Sequence, residues 1–272
     1  MTSQITPENY AFLQKRIYRD SGIVLDDSKL YLIESRLAPI LESDRIATLN
    51  DLCVLLKTIG GASLRQRVVE AMTTNETLFF RDPPVFEALR KIVLPDLIER
   101  RRSIRKLSFW SAAASSGQEA YSLAMLLLEM GLAGWEIQIV GTDLNSQILD
   151  RARTGRYLQI EVNRGLPAPC LVKYFQRVGL EWQLSEQIRK MVKFVPFDLR
   201  QSACPMGQFD LVLCRNVLIY FDVETKKKIL GQIRGSLFEK GYLVLGCAES
   251  TFNLDNAFTK QSIGPATFYQ AP

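Results

Sequence analysis

Residues 107 to 143 constrain the fold most tightly, because they alternate two short apolar strands around a small-residue loop and an amphipathic helix. Leu107-Ser108-Phe109-Trp110 reads as a buried strand, and Ser111 through Gly117 are all Ser, Ala or Gly, so the backbone there can come close to a ligand. Gln118 and Glu119 open a helix whose apolar face is Ala120, Leu123, Ala124, Leu127 and Leu128, and Ile137 to Asp143 reads as the next strand. Such a βαβ unit sets the unpaired N–H groups of a helix N-terminus beside an acid that can accept bonds from ribose hydroxyls. Asp143 stands 26 residues after Gly117, close to the spacing expected of a ribose-binding carboxylate.

The loop has no Gly-x-Gly-x-x-Gly, whose first two glycines serve a tight turn and close approach to a pyrophosphate. A nucleotide cofactor without a pyrophosphate therefore fits better. S-adenosylmethionine (SAM) offers a ribose to Asp143 and a cationic methionine tail to Glu119. The competing reading of the same residues is a tight strand-to-helix connection of any α/β protein.

The chain has no histidine, which removes the usual general base and the commonest neutral metal ligand together. Serine–histidine hydrolase chemistry is excluded, no metal is expected, and a nucleophile that is already ionised suits the chain. A glutamate carboxylate, with a reference pKa of about 4.3, is such a group. The five cysteines, Cys53, Cys170, Cys204, Cys214 and Cys247, are scattered without Cys-x-x-Cys spacing and read as small core residues. The 272 residues suggest one large or two modest domains, with 47% hydrophobic and 23% charged residues as in ordinary globular proteins. No apolar run approaches the roughly 20 residues of a membrane span, and Met1 to Glu8 lacks the pattern of a signal peptide. The expectation is a cytoplasmic protein with no direct membrane insertion.

Residues 1–72 carry nine basic and nine acidic side chains, so the whole formal excess of +5 lies later in the chain. Its densest cluster is Arg100-Arg101-Arg102 with Arg105 and Lys106, at the end of a helix predicted from Pro84 to Arg102. The cluster reads equally as a solvated helix C-terminus answering the dipole or as a docking patch for an acidic partner. No interleaved aromatics or recognisable motif accompany it, so no nucleic-acid partner is expected.

Residues 1–72 show helical periodicity over Glu8–Ser21, Lys29–Leu41, Leu49–Lys57 and Ser63–Met72, with Thr48 and Ser63 as cap candidates and Gly60-Gly61 as a break. A bundle of about four helices follows, either a partner-binding module or a lid. Residues 73–106 read as a linker and connecting helix. From 107 to 272 strands alternate with helices, as in a doubly wound parallel sheet, with Val192–Phe197, Phe209–Cys214 and Gly241–Gly246 as further strands and Thr267–Tyr269 as a last antiparallel one. Residues 155–191 interrupt this alternation and read as an inserted β-subdomain with a hairpin.

Two more constellations accompany the loop. In Thr73 to Asp82, the polar groups of Asn75, Thr77 and Arg81 beside Phe79-Phe80 suit a linker that crosses a pocket, or an N-capping linker with Arg81 at the surface. In Asp210 to Phe221, a buried strand delivers Arg215, Asn216 and Tyr220 at its C-terminal end, where open α/β sheets bind ligands. Asp210 reads as structural, and Tyr220 reads also as a core aromatic.

With these pieces in view, the chain resembles the CheR family of chemotaxis receptor methyltransferases, SAM-dependent protein-glutamate O-methyltransferases. The resemblance rests on Thr74-Asn75-Glu76-Thr77 with Phe79-Phe80-Arg81, on Trp110 to Glu119, on Gly141-Thr142-Asp143 and on Cys214 to Phe221, in that order along nearly the whole chain. It implies an α/β fold in which a small N-terminal helical bundle precedes a Rossmann-like methyltransferase domain with an inserted small β-subdomain. It also implies that Asn75, Thr77, Arg81, Glu119, Asp143, Asp198, Leu199, Arg215 and Asn216 bind the cofactor, with Arg81 and Tyr220 facing the methyl-transfer centre. The implied reaction converts glutamates of chemoreceptor methylation helices to γ-methyl esters, leaving S-adenosylhomocysteine (SAH). Gln118 and Asp198 depart from the residues common at their positions. The alternatives are a SAM-binding regulatory or scaffold protein without turnover, and a methyltransferase for another protein or a small molecule.

Family members that hold a receptor C-terminal pentapeptide typically carry a glycine-rich loop in the inserted subdomain, whereas Gly179 stands alone near Arg177-Val178 and Leu180-Glu181-Trp182. No strong tether is expected, so calorimetric titration with such a peptide should show no tight binding.

Overall fold

The computed structural model describes residues 5–58, 61–201 and 207–272, so Gly60 of the predicted break and Cys204 lie outside the described residues. The chain divides into two compact units, Met1–Thr74 with Tyr220–Asp222, and Asn75–Ile219 with Val223–Pro272.

The first unit contains four α-helices, α1 Pro7–Ser21, α2 Leu30–Ser43, α3 Leu49–Lys57 and α4 Ala62–Met72. Thr6 caps α1 by accepting the Asn9 N–H, and Gly22, at φ 77°, ends it in the left-handed conformation that glycine adopts without steric cost. Thr48 caps α3 by accepting the Asp51 N–H, as predicted; α4 begins at Ala62 behind Gly61, so Ser63 is a helical residue and not the cap. Leu13, Ile17, Ile33, Leu37, Leu52, Leu56, Val68 and Met72 close the core at helical spacing. Short contacts tie residues 220–222 into this unit: the Val24 N–H donates to the Tyr220 carbonyl at 3.0 Å, and the Tyr18 hydroxyl donates to Asp222 at 2.6 Å.

The second unit is built on a seven-stranded sheet. Its strands are β1 Lys106–Ala112, β2 Glu136–Asp143, β6 Val192–Pro196, β7 Phe209–Cys214, β8 Leu237–Leu245, β9 Thr259–Ile263 and β10 Ala266–Gln270, with β3 Arg156–Leu158, β4 Phe175–Val178 and β5 Glu181–Leu184 in a separate sheet. The order is β6-β2-β1-β7-β8-β10-β9; the first five are parallel, and β10 runs antiparallel to both neighbours. The order reverses beside β1, which pairs with β2 on one side and β7 on the other, so a crevice opens at the C-terminal ends of β1 and β7. The helix Gln118–Glu129 packs beside this sheet with almost every residue buried.

Three details depart from the sequence reading. Strand β9 escaped it because Thr-Lys-Gln-Ser-Ile has no apolar run, and only its edge pairing with β10 makes it a strand. Strand β8 begins at Leu237, where a register shift against β7 admits extra residues. The connecting helix runs continuously from Pro83 to Arg100 but contains a π-helical turn, Leu89–Val93, between Pro83–Ala88 and Leu94–Arg100. Cys53 and Cys214 are core residues, and burial pushes the Cys53 thiol up to about 11; Cys247 is exposed and Cys170 only half-buried.

Two arginines of the basic cluster are consumed by the fold, while Arg102, Arg105 and Lys106 are exposed. Asp210, buried in β7, accepts the Ser108 N–H at 2.8 Å and Arg101 Nε at 2.6 Å, and the Arg101 guanidinium lies 4.0 Å from the Phe238 ring centroid. Arg100 pairs with Asp96 and donates to the Lys240 carbonyl at 2.8 Å. These two arginines are thus anchors and not a docking patch.

The insertion forms a three-stranded antiparallel sheet in the order β3-β5-β4, with β4 and β5 joined through Gly179 at φ 63°. It also holds helices Gln159–Asn163, Ala168–Tyr174 and Glu186–Lys190, which the predicted hairpin alone did not include. Its aromatics clasp the linker before Arg81: the Phe79 ring lies 4.9 Å from Tyr157 and 5.6 Å from Phe175, both edge to face. Gly165, at φ 85°, passes so near that a Cβ would sit 2.1 Å from the Phe79 carbonyl oxygen. Gly165→Ala adds a backbone clash to a left-handed torsion, and should cost about 2 kcal/mol or more in a denaturant titration.

Candidate active site

Strand β1 ends at Ala112, and the loop behind it owes its shape to residues in left-handed conformations, Ala113 at φ 58°, Ser115 at φ 51° and Gly117 at φ 91°. Gly117 is also sterically required, since a Cβ there would lie 2.9 Å from the Phe194 ring. The Ala114 N–H donates to the Thr142 carbonyl at 2.8 Å. Asp143, at the end of β2, accepts the Ser115 N–H at 2.9 Å and the Asn145 N–H at 3.0 Å. The loop is thereby preformed around a carboxylate. Burial pushes the Asp143 carboxyl above its ordinary pKa, and backbone N–H donors from Asn145, Ser115 and Leu144 oppose that shift.

Glu119 sits in the first turn of the helix Gln118–Glu129, where the dipole favours negative charge. Its Oε1 accepts the Ser111 hydroxyl at 2.7 Å, and its Oε2 accepts Arg215 Nη1 at 3.0 Å. Arg215 follows β7 and its side chain is only 1% exposed, so its charge must be met inside the protein. Nη2 supplies the rest of that pairing, donating to the Arg81 carbonyl at 2.9 Å and to Asp82 at 2.5 Å. Nε remains buried without a partner among the described residues.

Asn216 takes a left-handed φ of 58°, and its N–H donates to Glu249 Oε2 at 2.7 Å. The same oxygen accepts the Gly246 N–H at 2.7 Å, and Oε1 accepts the Ile219 N–H at 3.3 Å. One carboxylate therefore joins the chain ends leaving β7 and β8. The Asn216 side-chain oxygen is buried with no partner among the described residues. Buried polar atoms are normally paired, so these two unmet atoms are candidates for pairing with a ligand or with water.

The other predicted residues are distributed as follows. The Asn75 carbonyl accepts the Ser115 hydroxyl at 2.9 Å, which brings the linker to the loop, and Thr77 is half-buried in that linker. Arg81 is half-buried, and its guanidinium has no ion-pair partner among the described residues. Asp198 follows β6 and is matched by Arg200, with Nη2 at 2.6 Å, and Leu199 is buried beside it. Gln118 accepts the Ser116 hydroxyl at 2.8 Å, so the amide serves the loop. Tyr220 belongs to the helical unit through its backbone.

Sequence reasoning missed Asp82 and Glu249. Asp82 was legible only as the residue beside Arg81 and before two prolines, and Glu249 lies in an irregular segment with no periodic pattern.

The residues fit SAM. Asp143 retains acceptor capacity for ribose hydroxyls, because two oxygens offer about four lone-pair sites. Glu119 supplies negative charge for a cationic tail, and small residues from Ala112 to Gly117 leave room beside the backbone.

Comparison with known proteins agrees with this geometry. Residues 75–266 match the family described as CheR methyltransferase, SAM binding domain, and residues 8–73 match CheR methyltransferase, all-alpha domain. The chain is 43% identical over 256 residues to Chemotaxis protein methyltransferase 1 of Pseudomonas aeruginosa, covering 92% of this chain and 93% of that one. It is 40% identical over 271 residues to Chemotaxis protein methyltransferase Cher2 of Pseudomonas putida, covering 97% and 98%. A more distant relative, the Chemotaxis protein methyltransferase of Borreliella burgdorferi, is 31% identical over 271 residues, covering 97% and 94%.

The raised Asp143 carboxyl sets a pH dependence. The folded protein takes up this proton at higher pH than the unfolded chain, so its contribution to stability falls as pH rises through the interval between the two values. Ionisation is thus a cost that ligand hydroxyls offset. As pH is lowered from neutrality into that interval, calorimetric affinity for SAH should weaken, by at most about tenfold per pH unit for one proton. Asp143→Asn should bind weakly and lose this dependence.

Proposed function

The chain belongs to the CheR family of SAM-dependent methyltransferases, and from that premise we propose that its acceptor is a glutamate side chain on the cytoplasmic domain of a chemoreceptor. The product is a glutamate γ-methyl ester, which serves adaptation in chemotaxis-type signalling. The observation that carries this reading is Arg81, a cation without an ion-pair partner among the described residues, held by its carbonyl to the network that also contains Glu119.

SAM supplies a methyl group already activated on a sulfonium. The protein's part is then positioning and electrostatics. Asp143 would hold the ribose and Glu119 the cationic methionine tail, with Asn75 and Thr77 contributed by the linker that Ser115 ties to the same loop. Arg81 orients the acceptor carboxylate. That acceptor is ionised at neutral pH and needs no proton removed, which accounts for a site without histidine. Arg81 steers the carboxylate without a bidentate clamp from a second arginine, because Arg215 is already committed to Glu119 and Asp82.

The test is transfer of labelled methyl from SAM to chemoreceptor cytoplasmic fragments, followed by release of methanol in base. Arg81→Ala should lower the transfer rate about 100-fold, the scale of a lost positioning and charge interaction. Undiminished transfer by that variant would remove Arg81 from the mechanism. Base-stable label would point to an acceptor other than a carboxylate, and no incorporation with any receptor fragment would favour a regulatory SAM-binding protein.

A further inference from the structure

Arg81 lies between two residues in unusual backbone conformations, Phe80 at φ 46° and Asp82 at φ 59°. Non-glycine residues seldom occupy this region, and a fold keeps them there only when neighbouring contacts over-determine the geometry. The contacts on the Phe80 side are plain. Its N–H donates to the Ser122 hydroxyl at 2.9 Å, Ser122 in turn donates to the Gln118 carbonyl, and the ring packs against Phe86.

On the Asp82 side the holding group is Arg215. A single nitrogen, Nη2, takes both the Arg81 carbonyl and the Asp82 carboxylate, at 2.9 and 2.5 Å. Rotating φ of Asp82 out of the left-handed region would swing the carboxylate away from that nitrogen. The other end of the guanidinium is fixed on Glu119. Arg215 is therefore a rigid brace between the cofactor helix and the turn that carries Arg81. Nothing in the Asp82 side chain's position requires it to touch a ligand, since its charge is spent on the brace.

We propose that Asp82 is a positioning residue for Arg81, acting through the buried Arg215 to keep the Arg81–Asp82 turn in its left-handed geometry. The proposal rests on the reading of Arg81 as the residue that orients the acceptor carboxylate. Asp82 contributes through the presentation of the acceptor and not through cofactor affinity, because the bonds of Glu119 to Ser111 and to Arg215 Nη1 do not involve Asp82.

The test uses Asp82→Asn, which tolerates the left-handed region while deleting the charge, and Asp82→Gly, which favours that region with no side chain. Amide hydrogen exchange, SAH calorimetry and methyl transfer are measured in the full chain for both, for Arg81→Ala and for the Arg81→Ala/Asp82→Asn double variant. Exchange across residues 79–82 should accelerate about tenfold in both Asp82 variants, as expected when a local contact is lost. The turnover number should fall about 10-fold or more in both, with the SAH dissociation constant within about twofold of wild type, and the double variant should be no slower than Arg81→Ala alone. The proposal is overturned by unchanged exchange, by full turnover in Asp82→Gly, by SAH affinity falling in step with turnover, or by equal losses from Asp82→Asn in both backgrounds. If the wild-type protein transfers no methyl to receptor glutamates, the proposed function fails; the exchange and calorimetry arms still decide whether Asp82 holds the turn.

Discussion

The site depends on one buried cation. Arg215 is nearly inaccessible to water, and a guanidinium so placed destabilises a fold unless its donors are met. Glu119, Asp82 and the Arg81 carbonyl meet all but Nε of them, from two places in the chain: the helix after β1 and the turn that ends the linker. Removing one partner of a buried pair typically costs about 3–5 kcal/mol, because the remaining charge is stranded. The pairing therefore fixes the helix N-terminus and the Arg81–Asp82 turn to the C-terminal end of β7, so Glu119 is set by the same charge that sets the linker.

A second carboxylate, Glu249, repeats the logic with neutral donors. Its oxygens gather N–H groups from Asn216, Gly246 and Ile219, which would otherwise be loose ends of two neighbouring strands. Asn216 is held in a left-handed turn as a result, and its side-chain oxygen is left buried and unpaired. Rigid scaffolding of this kind leaves polar atoms preorganised for a ligand instead of for one another. The insertion adds packing from a third direction, with Phe79 between Tyr157 and Phe175 and the Tyr157 hydroxyl donating to the Ser116 carbonyl at 2.8 Å.

Much of this was legible in the chain, and for identifiable reasons. Strands β1 and β7 are buried on both faces and read as largely apolar runs, whereas β9 is a polar edge strand whose identity comes from its partner. Asp143 and Glu119 announced themselves by spacing from a small-residue loop. The basic run at Arg100 to Arg102 stayed open between two readings, because local charge density says nothing of a buried Asp210 more than a hundred residues away. Asp82 and Glu249 carry no local signal, since their partners are distant in sequence and their role is to satisfy groups that become buried only on folding.

The sequence by itself determined the alternation of strands and helices, the helical character of the first 72 residues, the absence of any histidine base and the candidate ligands around Asp143, Glu119 and Arg215. These follow from periodicity, composition and spacing, which are properties of the chain alone. The tertiary structure decided which charges neutralise one another, which are left for a ligand, and which backbone turns are held in left-handed form. The reason is that pairing energies depend on burial, and burial is not defined until the sheet has closed around Arg215.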